Sequence, residues 1–272
     1  PLRLNEISAG TLRSTDETAW QSGIPDGTVS ENATLLPPDR ALLAVASGIQ
    51  LRLDGIDACI SEAATELSSE DLRGDRVIDI MTVCAKKTGI AGMAVYDQKG
   101  DLITALPVTG TPVPDPGSPP SPSLTSDTVR TRAFFLPADT RTIGALPVLT
   151  YPVFSETGCR SGYLSAIIDP VTITREGCEP VLNQSGMGCM VIQPDGFILY
   201  DQDPDQIGRN TWDEPGFTES PTIRTIAAAM QQSRAGAGMY LIRSGDGNEH
   251  AREITWTSVS LHGLPWRVAI IR

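Results

Sequence analysis

The stretch CMVIQPDGFILYDQDPDQIGRNTW, Cys189 to Trp212, reads as an apolar strand, a turn at Pro194-Asp195-Gly196, a second apolar strand and a burst of acids. Two short apolar runs around a glycine-containing turn are a hairpin signal. The same pattern occurs earlier: aligned on Gly100 and Gly196, AVYDQKGDLIT (Ala94 to Thr104) lies over MVIQPDGFILY (Met190 to Tyr200) without a gap. A second pair, YLSAIID from Tyr163 and WRVAIIR from Trp266, recurs in the same order. Two elements repeated in one order predict two copies of one unit, residues 75–170 and 171–272.

Each copy is an antiparallel-sheet unit by its pattern. In the second, Ser220-Pro221 opens a helix as N-cap and first helical residue, with Ile223, Ile226, Ala227 and Met230 on one face and an end near Gly236. Strands follow at GMYLIRS, REITWTSVSL and PWRVAIIR. Strand, strand, helix and three strands predict an α+β module, an antiparallel sheet with helices on one face. In the first copy, a short helix over Val77 to Cys84 precedes the Gly100 hairpin, with Gly89 placed to end it. A second hairpin, ALPVLTYPVF and GYLSAIID, turns at Ser155 to Arg160. Between them, residues 107–122 are rich in proline and read as an exposed loop.

Ahead of both copies lies a long helix. Residues 1–38 form a polar lead closed by Pro37-Pro38, and residues 39–74 follow with Asp39 as the expected N-cap. Leu42, Ala46, Ile49, Leu53, Ile56, Ile60, Ala63 and Leu67 alternate spacings of four and three, a heptad seam. At 1.5 Å per residue this helix would be roughly 40 Å long. Two readings stay open: the seam packs on the chain's own sheets, or it also takes a partner helix in a parallel homodimer.

Composition narrows function. The formal charge of -12 repels phosphate backbones, which argues against nucleic acid as a partner. No window approaches the roughly 18 to 20 apolar residues of a membrane helix, so any membrane attachment would lie outside these residues. The five cysteines contain no C-x-x-C pair and only His250 and His262 are present, so a zinc site is not expected; the cysteine count alone does not fix the redox compartment. Asp201, Asp203 and Asp205 have the alternate spacing of a calcium loop, but Pro204 interrupts them, Gln206 replaces the required glycine and Trp212 the closing Glu. The sequence contains no nucleophile elbow, P-loop or G-x-G-x-x-G, and both histidines sit in turns. We therefore expect neither an enzyme nor a cofactor.

The run VIQPDGFILYDQDPDQIGRNTW, then a helix, a Y-x-I strand and ITWTSVSLHGLPWRVAII to the chain end, resembles the membrane-proximal half of a double Cache domain. These are the PAS-like extracytoplasmic sensor modules of histidine kinases and chemoreceptors. The long helix, IAGMAVYDQKGDLI and LPVLTYPVFSETGCRSGYLSAIIDP resemble the membrane-distal half, so the resemblance covers about residues 40–272. It implies two PAS-like units on a long N-terminal helix, and an extracytoplasmic domain that binds a small molecule and passes a helix shift across the membrane. A secreted or lipid-anchored binding or adhesive protein of the same fold is the alternative. The acid burst becomes the exit of a strand beside a pocket rather than the chemistry itself. By position, the resemblance nominates Arg130, Arg132, Phe134, Tyr151 and Asp169 as ligand-binding in the distal unit. In the proximal unit it nominates Tyr200, Asp201, Trp212, Arg224 and Tyr240. Relatives that bind amino acids carry an Arg-x-x-x-Trp-type element with paired tyrosines; the distal half here has no tryptophan after Trp20, a departure that argues against an amino acid.

Overall fold

Helix α1 (Pro38–Glu66) places its proline in the first turn, where the missing N–H has no intrahelical acceptor to lose. Asp39 therefore lies within the helix rather than at its cap. A 3₁₀ turn (Leu67–Ser69) ends it. This computed structural model describes residues 38–108, 134–136, 146–183, 185–213, 220–243 and 249–272. All eight seam residues are buried, the most exposed being Ala46 at 7%. They share one continuous apolar core with helix α2 (Arg76–Ala85) and with strands of two separate sheets. The seam is thus satisfied within the chain, the first of the two readings. The opposite side of α1 carries Leu43 and Leu51, 49% and 71% exposed.

The first sheet comprises β1 (Ile90–Asp97), β2 (Leu102–Pro107), β3 (Phe134–Leu136), β4 (Val148–Phe154) and β5 (Arg160–Ile168). Helix α3 (Pro170–Leu182) leads to the second: β6 (Gly188–Ile192), β7 (Ile198–Tyr200), α4 (Pro221–Gln232), β8 (Gly236–Arg243), β9 (Glu249–Leu261) and β10 (Leu264–Ile271). Both are five-stranded and antiparallel, ordered β2-β1-β5-β4-β3 and β7-β6-β10-β9-β8, the same order from the first strand of each. The hairpin turns match in detail. Gly100 and Gly196 have φ of 92° and 91°, the left-handed region that favours glycine. Each donates its N–H to the carbonyl of the residue three before it, Asp97 and Gln193, at 3.0 Å.

Three features differ from the sequence reading. Strand β3 lies between stretches outside the described residues. Helix α3 is absent from the reading because Gly177, Pro180 and two threonines give it poor intrinsic propensity; burial of Ile173, Thr174, Cys178 and Leu182 overrides that. The second sheet is covered on both faces, by α1 and α3 on one and α4 on the other, rather than on one. Pro221 at the first turn of α4 and the Ser220 cap are as the sequence predicts, Ser220 Oγ accepting from Ile223 N–H.

Helix α1 is fastened to both sheets by polar contacts as well. Gln50 donates its side-chain amide to Ser260 O at 3.0 Å and accepts from Ser260 N at 2.9 Å, behaving as one more residue beside β9. Where α1 crosses α3, Gly48 and Gly177 meet, and a Cβ on Gly177 would lie 2.8 Å from Ile49. Arg52 and Glu176 pair across the same crossing at 3.1 Å.

Candidate functional site

The first sheet has an inner and an outer face, set by strand alternation. Met93, Val95, Leu149, Val153, Leu164 and Ala166 face the core shared with α1. Their neighbours form the outer face, where the register lines up one row across all five strands: Ala105, Ala94, Ser165, Thr150 and Phe134. Tyr96 and Tyr163 are partners in the adjacent row. Ala94, Tyr96, Thr150, Tyr163 and Ser165 are buried. Thr150 and Ser165 join their hydroxyls at 2.7 Å. Tyr163 stacks under the Arg160 guanidinium, 4.9 Å from its ring centre, a cation–π contact. Among the described residues its buried hydroxyl has no hydrogen-bond partner, a state that carries a desolvation cost unless something binds it.

The corresponding face of the second sheet is filled. Helix α4 lays Met230 and Ile226 against Ile192, Ile198, Ile254, Trp256 and Ala269. A Cβ on Gly236 or Gly238 would collide with Trp256 or Ile226. Arg267 closes the end of α4: it donates from Nε to Met230 O at 2.8 Å and from Nη1 to Ser258 Oγ at 2.9 Å. A cation on the last carbonyls of a helix suits their dipole. Burial, and after it the nearby Arg234 charge, lowers the pKa of the Arg267 guanidinium from its ordinary value.

Between the two sheets, Asp57 of α1 gathers contacts from both. Its Oδ1 accepts from Tyr151 Oη at 2.6 Å and lies 2.6 Å from His262 Nε2. Tyr151 comes from β4 and His262 from the β9–β10 turn, where it holds a φ of 47°, unusual for a residue with a side chain. The two rings meet edge to face with centroids 5.8 Å apart. Burial pushes the Tyr151 phenol well above its usual pKa, and the neighbouring Asp57 carboxylate adds to this. The folded state therefore keeps the proton that the unfolded chain releases near pH 10, so stability is lost as pH rises above that value. Tyr151→Phe should cost about 1 kcal/mol at pH 7 and lose less stability than the wild type on going to pH 11. Urea titrations at the two pH values measure both; parallel losses in the two proteins would show that Tyr151 ionises as freely folded as unfolded.

The nominated residues do not form one constellation. Arg130 and Arg132 lie outside the described residues. The backbone of Phe134 on β3 pairs with Thr150. Tyr151 sits on the opposite, α1-facing side and is held by Asp57, because Thr150 rather than Tyr151 is in register with Ser165. Asp169 caps α3, accepting from the backbone of Val171 and Thr172 and from Thr172 Oγ1. Tyr200 packs on the α3 side with Cys178 and Cys189 near it, whereas Tyr240 packs on the α4 side. Arg224 is exposed on α4. Asp201 is partly buried at the end of β7, which raises its carboxyl above the usual range, and its charge reaches Tyr240.

The run that opens the second unit is a structural knot. Asp201 Oδ1 accepts from Asp203 N and Asp203 Oδ1 from Asp205 N, so these carboxylates cap successive backbone turns. Downstream, Asn210 donates to Asp195 O and Thr211 donates to Gly196 O. Trp212 lies over the hairpin turn, where a Cβ on Gly196 would stand 2.7 Å from its ring. Among the described residues no three His, Cys, Asp or Glu side chains converge as metal ligands.

No protein-family model and no curated protein matches the chain. Solved structures do. An extracellular ligand-binding receptor from Desulfohalobium retbaense superposes with a TM-score of 0.65 at 21% identity over 86% of this chain. The ligand-binding domain of the Pseudomonas aeruginosa amino acid chemoreceptor PctB, solved with L-Arg, gives 0.56 at 21% identity, covering 86% of this chain and 85% of that one. The chain has the double Cache fold. The Pseudomonas fluorescens chemoreceptor CtaA, solved with L-alanine, gives 0.55 at 15% identity over 86% of this chain and 94% of that domain. The chain spans 40% of the length of the Desulfohalobium receptor. Among the described residues of this double Cache fold, no helix is long and apolar enough to cross a membrane.

Sequence reasoning missed Tyr96, Thr150, Tyr163 and Ser165. Register carries the signal that could have found them: once YLSAIID pairs with AVYD, Tyr163 and Tyr96 fall side by side.

Proposed function

We propose that this chain is the extracytoplasmic ligand-sensing domain of a signal-transduction receptor, with its small-molecule site on the outer face of the first sheet. The Tyr163 hydroxyl, which has no partner among the described residues and is buried beside Tyr96 and the Thr150–Ser165 pair, carries this reading. Ala94 and Ala105 put only small side chains in the same row, while α4 occupies the equivalent face of the second sheet. Sites of this type are mostly apolar with a few converging polar groups. Helix α1, packed on both sheets and tied to them through Gln50 and Asp57, is the element through which occupancy of the first unit would reach the rest of the chain. Any onward step across a membrane belongs to segments outside this chain. The binding of L-Arg and L-alanine by PctB and CtaA makes small polar metabolites a sensible first panel, alongside carboxylates, amines and purines.

A thermal-shift screen tests this. A ligand present at a hundred times its Kd adds about 2.7 kcal/mol of stability. Tyr163→Phe should weaken a hit by about tenfold, the loss of one hydrogen bond to a buried group, while Tyr240→Phe should leave it unchanged. A hit lost in Tyr240→Phe and kept in Tyr163→Phe would move the site to the second unit, and silence across the panel would overturn small-ligand sensing.

A further inference from the structure

We propose that Cys178 and Cys189 are joined by a second disulfide in the folded protein, which leaves Cys159 as the one free thiol of the chain. The Sγ atoms of Cys178 and Cys189 lie 2.8 Å apart, closer than two unbonded sulfurs comfortably pack. Both residues are buried, 4% and 2% exposed, inside the core shared with α1. They stand on different elements, Cys178 on α3 and Cys189 on β6, separated by 11 residues. Cys59 and Cys84 join α1 to α2 through a disulfide, and the extracytoplasmic location proposed above, on which this inference rests, supplies the oxidant. Cys159 is exposed in the β4–β5 turn and remains unpaired among the five cysteines.

The local sequence gives the bond a purpose. Pro180 sits inside α3 and cannot donate the backbone hydrogen bond expected of that turn. The end of α3 is thereby weakened just where it must hand the chain to the second sheet. A covalent tie from Cys178 to the first strand of that sheet holds the junction in place, with Tyr200 packed beside it.

The chemistry is thiol–disulfide exchange with a disulfide-bearing oxidant of the extracytoplasmic space. One cysteine, as thiolate, attacks the oxidant's disulfide and forms a mixed disulfide, displacing one oxidant thiolate. The second cysteine, as thiolate, attacks the protein-side sulfur of that bond and displaces the other. The protein loses two electrons and two protons, and the oxidant leaves as its dithiol. The Cys189 thiol is pushed to higher pKa by its contact with Cys178 and by burial, so exchange belongs to folding, before the core closes.

Alkylation of the wild-type chain, exported to an oxidising compartment, tests the proposal. Unfolded in denaturant without reductant, the protein should take up one iodoacetamide label, on Cys159, and a non-reducing digest should contain a Cys178–Cys189 linked peptide. With reductant all five cysteines should label. Labels on Cys178 and Cys189 without reductant would overturn the proposal, as would a linkage of either to Cys159.

Discussion

Replacing Ile49 by alanine should lower the unfolding free energy by about 3 to 4 kcal/mol, the cost of a buried aliphatic deletion with its cavity. Ile49 is fully buried in the α1 seam and touches the Gly177 crossing of α3. Leu51, two residues on, is 71% exposed, and its truncation should change stability by no more than about 0.5 kcal/mol. Urea unfolding with an unchanged m-value measures the contrast. Equal costs at the two positions would mean that the seam does not face the sheets. The same pair separates stability from association. The seam is used up inside the chain, so a homodimer through α1 would have to use the Leu43 and Leu51 side. Leu51→Glu should then dissociate a dimer in sedimentation velocity while leaving the unfolding midpoint of the monomer in place.

Much of this architecture is legible from the residues because it depends on local chemistry. Gly100 and Gly196 align two hairpins, and both adopt the left-handed conformation that makes such turns recognisable. The heptad of α1 is a true burial pattern. Where legibility fails, the missing information is long-range. β4 reads VLTYPVF, apolar at positions of both parities, so alternation could not say whether Thr150 or Tyr151 faces outward. The pairing with β5 decides it, and places Tyr151 on Asp57 instead of in the row with Ser165. His262 looks like an isolated turn histidine, and its contact with Asp57 spans 205 residues of sequence. Asp169 attracts a ligand role by its position at a strand end, and the same position makes it the cap of α3, a helix whose proline and glycine hide it. Site residues are harder to read than elements for a physical reason: an element is written in periodicity, whereas a site is written in which strands become neighbours.

Gly162→Ala should disturb the proposed site through the backbone alone. Gly162 lies in β5 opposite Asp97, and a Cβ there would penetrate the Tyr96 carbonyl oxygen and press on Leu72. The oxygen belongs to backbone and cannot swing aside, so β1 and β5 must move apart. We expect a loss of about 3 kcal/mol, the upper end of what overpacking costs. The consequence extends beyond stability, because Tyr96 and Tyr163 are partners across this same strand pair. A ligand that bridges the outer face should therefore bind Gly162→Ala more weakly even at temperatures where the variant is fully folded. Gly158→Ala is the companion measurement. Gly158 has a φ of 78° with no atom within 4 Å of a built Cβ. Alanine there incurs only backbone strain, about 1 kcal/mol, and should keep ligand affinity. If both variants lost stability equally and bound ligand equally, the close approach of β5 to β1 would not be what holds the two tyrosines together. If Gly162→Ala alone lost affinity, the spacing of the central strands would be part of the site, and any movement of α1 that alters that spacing would be coupled to occupancy by reciprocity.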